Sequence, residues 1–112
     1  ACSIADRIAR DQGLKCSISF TEEFQVVENE TKAGEVVNEA VDNLGLQKKN
    51  ATEPFRWSED FGVLSATTRS YLFGLGSGVN HPQLHENSYD FPDELLPIGI
   101  DIFRTIIQRL NH

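Results

Sequence analysis

Apolar residues recur three and four positions apart in three stretches of the chain, which predicts three amphipathic helices. The first helix is predicted over residues 3–12 and the second over residues 31–44, with Asn29 or Thr31 as the N-cap of the second. Each of the two is followed by a glycine, a common helix stop. The third helix is marked by Leu96, Ile98, Ile102, Phe103, Ile106, Ile107 and Leu110.

Two other stretches have the patterns of strands. Residues 15–20 alternate between polar and apolar side chains, which is typical of a strand with one buried face. Residues 70–76 are almost continuously apolar, which is typical of a strand buried on both faces. Residues 21–31 are interpreted as a connection or a short edge strand. The mixture of helices and strands predicts an α/β or α+β fold, although a sheet usually has about five strands.

Composition and charge exclude two classes of function. The chain has 112 residues, with 10 Lys and Arg against 17 Asp and Glu, which gives a net charge of −7. Nucleic-acid binding depends on clustered positive charge, and anionic membranes attract the same kind of surface. No apolar run approaches the roughly 20 residues that a membrane-spanning helix needs. We therefore expect neither a nucleic-acid partner nor a membrane partner.

The cysteines and the start of the chain bear on its compartment. Cys2 and Cys16 are the two cysteines, and a pair of thiols in such a chain is more often reduced than bonded, although a disulfide in an oxidising compartment stays an alternative. No basic, apolar leader precedes the first helical pattern, so a cytoplasmic location is expected.

Candidate chemistry is concentrated in two places. The long segment of residues 77–92, rich in Gly, Asn, His and Pro, is a loop of a length that is usually functional, and it contains His81 and His85. The proline between them argues against the helical two-histidine zinc motif, and a histidine on a loop is by itself most often an ordinary surface residue. Ser58 is predicted to cap a short helix whose first turn contains the acids Glu59 and Asp60. Such paired acids either support a metal site or stabilise the helix terminus, and the second interpretation is favoured when the pair is taken alone.

His85 and the Glu59-Asp60 pair become more informative when they are considered with the motifs around them. Together these motifs resemble the C-terminal portion of the metal-dependent carboxypeptidase and aminoacylase family, and in particular its amidohydrolases of the hippurate-hydrolase and indole-acetyl-amino-acid-hydrolase type. The motifs are Trp57-Ser58-Glu59-Asp60-Phe61-Gly62, Leu72-Phe73-Gly74-Leu75-Gly76, Leu84-His85, Tyr89-Asp90-Phe91-Pro92-Asp93 and Leu96-Pro97-Ile98-Gly99.

The resemblance implies a function and a division of the chain. Enzymes of this family use two divalent metals, zinc or manganese, to hydrolyse the amide bond of N-acyl amino acids or small peptides. His85 matches a metal ligand, and Glu59 and Asp60 match a motif beside the metals, to which we assign a supporting role. Residues 1–23 would end an inserted lid or dimerisation domain with a helix and an edge strand. Residues 24–112 would form the C-terminal part of a zinc-peptidase-like α/β catalytic domain.

The resemblance also implies that the chain is a fragment. The other metal ligands and the catalytic glutamate of the family lie N-terminal to anything present here, whereas even one catalytic zinc needs three protein ligands. We therefore expect the chain to be inactive alone. The alternative is a stand-alone binding or dimerisation module that pairs through an edge strand at residues 15–20. An unrelated small α/β domain stays open only if the motifs are coincidental.

Overall fold

Helices account for all the regular secondary structure that the computed structural model contains over the residues it describes, 1–56 and 59–111. They are α1 (Cys2–Asp11), α2 (Thr31–Asn43), α3 (Phe61–Ser65) and α4 (Leu95–Leu110). The three predicted long helices are confirmed to within about one residue at each end. Gly13 and Gly45, which follow α1 and α2, have φ angles of 64° and 65°. That left-handed conformation is open to glycine without steric cost and explains why both helices end there.

The predicted α/β or α+β class is wrong, because residues 1–56 and 59–111 contain no strand and no sheet. Residues 15–20, predicted as an edge strand, are exposed throughout, including Ile18 and Phe20. Residues 70–76, predicted as a strand buried on both faces, are half-buried as far as Phe73 and exposed beyond it. The periodicity of a strand describes one segment, whereas a strand forms only when a neighbour supplies hydrogen bonds along its length. Neither segment has such a neighbour in the described part of the chain.

Residues 70–72 nevertheless lie beside residues 29–30 and are fixed there by the Asn29 side chain and one backbone hydrogen bond. Asn29 Nδ2 donates to the carbonyl of Leu72 at 2.9 Å, and Asn29 Oδ1 accepts from the amide of Leu72 at 2.7 Å. The amide of Glu30 donates to the carbonyl of Ser70 at 2.9 Å. The Asn29 amide thus takes the place of a backbone partner, so the two segments are joined without a strand ladder.

The core lies between α2 and α4, the one pair of helices in contact within the described residues. Ala40 of α2 is fully buried and Ile102 of α4 is 2% exposed. Arg109 of α4 forms an ion pair with Glu39 of α2. Outside this helix pair, Phe73 packs against the largely exposed Phe103 of α4, with ring centroids 6.1 Å apart. These contacts give a small core centred on a single helix crossing.

The remainder of the chain extends away from this core. The structure measures 64 × 39 × 23 Å and has a radius of gyration of 20.3 Å. A compact domain of this length would have a radius of gyration of about 13 Å. Helix α1 contacts no other helix of the described residues, and its apolar Ile4 and Ile8 are more than half exposed.

Helix α4 has a second apolar face, opposite the one that packs on α2. It is formed by Leu96, Ile100, Phe103 and Ile107, all more than half exposed. With Leu75 and Phe91 these residues line a shallow, almost wholly apolar groove. A helix that is apolar on both sides is usually buried on both sides. None of the described helices combines the length and apolar character needed to cross a membrane.

Candidate functional site

His85 lies at the tip of a hydrogen-bonded turn. The amide of Glu86 donates to the carbonyl of Gln83 at 3.0 Å, which makes His85 the third residue of a four-residue turn. Its φ angle is 74°, whereas Leu84 is not among the residues with positive φ, and this combination is characteristic of a type II turn. Glycine or asparagine usually occupies that position, but histidine is also enriched among the residues that adopt it. The turn leaves His85 exposed.

His81 is oriented by the backbone next to it. Its Nδ1 lies 2.9 Å from the carbonyl oxygen of Pro82, which can only accept, so Nδ1 carries the proton. In the neutral ring Nε2 then carries the free lone pair. The ring stands edge-on to that of Tyr89, with centroids 5.3 Å apart and an angle of 76° between the planes. His81 and Tyr89 are both half-buried.

The sequence predicted Glu59 and Asp60 in the first turn of a short helix. In the structure both residues precede that helix, α3. Helix α3 begins at Phe61 with Asp60 as its N-cap residue, and the Asp60 side chain makes no capping hydrogen bond. Ser58, the expected capping residue, lies outside the described residues, as does Trp57. Glu59 and Asp60 are both exposed.

Helix α3 is held by a close approach of two backbones. A Cβ atom on Gly62 would collide with the carbonyl oxygen of Gln25, and Ser65 Oγ donates to the carbonyls of Gly62 at 3.0 Å and Val26 at 3.4 Å. Residues 25–26 therefore position α3, and with it the preceding acids. The tight fit accounts for glycine at position 62.

Glu59 lines a deep cleft, whereas His85 does not. The cleft has a volume of about 1130 Å³ and lies between residues 24–29, 46–55 and 71–76. Its lining is mixed, with apolar Val37 and Phe73 beside charged Lys49 and Glu53. The predicted supporting acid and the predicted metal ligand are therefore not brought to one site.

The described residues do not by themselves fit a metal pair. Nowhere in residues 1–56 and 59–111 do three or more His, Cys, Asp or Glu side chains gather in a way that could hold a metal ion. Cys2 and Cys16 are free thiols and both are exposed. His85 is an exposed imidazole, and residues 1–56 and 59–111 provide no complete coordination shell around it.

Two structural features were not anticipated from the sequence. Asn29, one of the two candidate caps of α2, instead joins Leu72, a partner 43 residues away along the chain. The contact between His81 and Tyr89 was also missed. The spacing of apolar residues carries no information about either contact. The turn-forming residues between His81 and Tyr89 could, however, have indicated that this loop folds back on itself.

Comparison with known proteins gives no match: the chain corresponds to no family model, no curated protein and no solved structure. The resemblance to amidohydrolases rests on the order and spacing of the motifs and remains a prediction.

Proposed function

We propose that this chain is the C-terminal part of a metal-dependent amidohydrolase that cleaves the amide bond of N-acyl amino acids or small peptides. In this proposal His85 supplies one ligand to a pair of divalent metals, zinc or manganese. Glu59 and Asp60 support the site, and the remaining ligands come from polypeptide outside this chain.

The observation that carries the proposal is that His85, which belongs to the Leu84-His85 motif, is exposed at the tip of a turn. An imidazole is the commonest protein ligand of transition metals, and a ligand contributed to a site built elsewhere must be accessible. His85 is exposed at the tip of an ordered turn, and no other described side chain hydrogen-bonds to its ring.

The large uncovered surface supports a role within a larger protein. The solvent-accessible surface is 9862 Å², whereas a folded monomer of 12.5 kDa exposes about 6,200 Å². The excess includes the outer apolar face of α4 and the apolar side of α1, and burial of such surface is favourable by about 25 cal/mol per Å². Further polypeptide packed on these faces would supply that burial.

The same observations predict that the chain alone is inactive. One imidazole cannot hold a catalytic metal pair, since a single catalytic zinc already needs three protein ligands. The described residues contain no such set. Purified chain, incubated with N-acyl amino acids and added zinc or manganese, is expected to show no turnover, and turnover that survives purification would contradict this part of the proposal.

The decisive experiment uses the protein encoded by the complete reading frame. We expect that frame to encode additional His- and Glu-bearing segments before Ala1, and the protein to contain metal and hydrolyse N-acyl amino acids. His85→Ala should lower its metal affinity at least tenfold, because loss of even an indirect partner of a metal costs about 10–100-fold. His112→Ala, which removes another imidazole of the same chain, is the matched control. Unchanged metal content in His85→Ala would refute the ligand assignment, and a frame without such segments would refute the proposal.

A second candidate function is a non-catalytic module that dimerises. It is favoured by the uncovered apolar faces of α1 and α4, which a second copy could cover. The edge strand first expected to mediate dimerisation is absent from the described residues, so α1 and α4 would have to form the interface. Light scattering and metal analysis of the protein encoded by the complete reading frame distinguish the candidates, because a stable dimer that takes up no metal favours the module.

We further propose a cytoplasmic location for the protein. Its two thiols are free and exposed, and thiols in that state persist in a reducing compartment. Mass spectrometry of the protein isolated under alkylating conditions should find Cys2 and Cys16 unpaired, and a disulfide between them would contradict this location.

A further inference from the structure

Residues 81–89 form a loop that is closed at its base by two aromatic rings. His81 and Tyr89 are in edge-to-face contact, with ring centroids 5.3 Å apart and planes at 76°. This is one of the two arrangements that aromatic pairs prefer, since the positive edge of one ring meets the negative face of the other. His85 is the midpoint of the loop, four residues from each ring.

His81 and Tyr89 are more buried than the residues at the tip of the loop between them. His81 is oriented through Nδ1, which donates to the carbonyl of Pro82, and the amide of Tyr89 donates to the carbonyl of Glu86 at 2.9 Å. Both ring residues are half-buried, whereas residues 83–88 are exposed without exception. The base of the loop is thus packed and its tip is solvated.

The conformation of His85 needs such a restraint. A φ angle of 74° brings the Cβ of a non-glycine residue close to the following backbone, which disfavours the conformation by a factor of about five or more. One backbone hydrogen bond, from Glu86 to Gln83, closes the turn itself, and in an exposed loop water competes for that bond. Conformations of this kind persist when the surrounding structure fixes them. The contact between His81 and Tyr89 limits how far the two ends of the loop can separate and thereby fixes the turn.

We propose that His81 and Tyr89 are positioning residues that hold His85 in its positive-φ conformation and so fix the direction of its imidazole. The significance of that direction for metal binding rests on the proposed function. The conformational effect itself depends on this chain alone.

Nuclear magnetic resonance of the full 112-residue chain tests the proposal. A positive φ places the amide proton close to the α proton of the same residue, so His85 should give a strong intraresidue cross-relaxation signal between them. In Tyr89→Leu this signal should fall to the level of neighbouring residues with ordinary φ, and the His85 amide resonance should move toward its unstructured value. Tyr89→Phe keeps the ring and should retain both signatures. Ser88→Ala is the control for a substitution in the exposed part of the loop.

The Ile102 methyl resonances report whether the core has changed. Loss of the His85 signature in Tyr89→Leu, with Ile102 unchanged and the signature rescued in Tyr89→Phe, supports a positioning role. A signature that survives in Tyr89→Leu, or that is lost equally in Tyr89→Phe, overturns it. Replacing His81 with leucine gives the reciprocal test and should reproduce the effect of Tyr89→Leu.

A zinc titration separates this inference from the proposed function. Zinc chloride is added to the full chain carrying Cys2→Ser and Cys16→Ser, so that the thiols do not compete, and the His85 ring resonances are followed. A selective shift or broadening at His85 supports the ligand assignment. If zinc leaves His85 unperturbed, the ligand assignment fails, while the experiment with the Tyr89 variants still decides the positioning role.

Discussion

At the scale of single residues, Glu30 performs two structural tasks at the start of α2. Its amide donates to the carbonyl of Ser70, and its carboxylate Oε2 accepts from the amide of Ala33 at 2.8 Å. The first bond fixes the neighbouring segment, and the second satisfies one of the amides that the first turn of a helix leaves without a partner. The hydrogen bond from Ala33, then that from Lys32, lowers the pKa of the Glu30 carboxyl, and the nearby positive charge of Arg69 acts in the same direction.

The lowered pKa predicts how the stability of α2 depends on pH. A carboxylate whose pKa is lowered on folding stabilises the folded state fully above its ordinary value of 4.5, and this contribution is lost as the pH falls through the lower folded value. The amide proton of Ala33 should therefore titrate with a midpoint below pH 4.5, and should not titrate in Glu30→Gln. The thermal stabilities of the two proteins should differ at pH 7 and converge in acid. A midpoint above 4.5 would contradict the capping role.

Two glycines give opposite predictions for the same chemical change. Alanine at Gly62 would force its Cβ against the backbone of Gln25, and overpacking of this kind costs about 1–3 kcal/mol, of which the higher helix propensity of alanine offsets up to about 1 kcal/mol. Alanine at Gly99, inside α4, would meet Leu75 Cδ2 at an ordinary 3.8 Å and should stabilise the helix by about 0.5–1 kcal/mol. Thermal unfolding followed by circular dichroism checks both. Equal effects of the two substitutions would show that the approach of Gln25 to Gly62 is not maintained in solution.

The sequence predicted helix ends better than side-chain partners. Glycine stops were correct because they depend on the local backbone, whereas neither candidate cap of α2, Asn29 or Thr31, is its N-cap residue, and Asn29 binds Leu72 instead. Glu30 acts as the cap, although glutamate is not a usual N-cap residue. At the candidate site, the sequence indicated that His85 lies on a loop but not that His81 and Tyr89 close it. Such partners are set by how segments fold back on one another, which no local pattern records.

At the scale of elements, helices and strands differ in what they require. A helix satisfies its hydrogen bonds within one segment, so the periodicity of α2 and α4 was sufficient to locate them. A strand needs a second segment in register, and the pattern of residues 15–20 contains no information about whether one is present. The fold class was therefore wrong although the hydrophobic patterns on which it rested are real.

The two faces of α4 give a prediction with a control in the same helix. Ile102 is 2% exposed against α2, whereas Ile100, two residues earlier, is 64% exposed. Ile102→Ala should destabilise the chain by about 2 kcal/mol or more, from lost burial and the cavity left behind. Ile100→Ala should change the stability by less than about 0.5 kcal/mol. Urea unfolding followed by circular dichroism measures both. A large loss of stability in Ile100→Ala of the monomeric chain would mean that another segment of the same chain covers the outer face of α4.

At the scale of the whole molecule, the chain is less compact than a single domain of 112 residues would be. Two side chains of the described core are buried apolar residues, Ala40 and Ile102, while apolar side chains on α1, on α4 and between them stay exposed. The hydrophobic contribution of so small a core competes against a loss of chain entropy of about 1–2 kcal/mol for each ordered backbone residue. Polypeptide packed on these exposed apolar side chains, from a longer protein or from a second copy, would add the burial that this small core lacks.

Small-angle X-ray scattering of the full chain, extrapolated to zero concentration, tests this view of the molecule. The structure predicts a radius of gyration near 20.3 Å, between the values of about 13 Å for a compact domain and about 34 Å for an unfolded chain of this length. Because each chain also carries the uncovered face of α4, the apparent radius should rise with concentration as copies associate, and replacing Ile100 with lysine should reduce that rise. A radius near 13 Å would show that α1 folds onto α4 within one chain. The apolar faces would then need no partner, and the argument for a larger protein would lose its structural support.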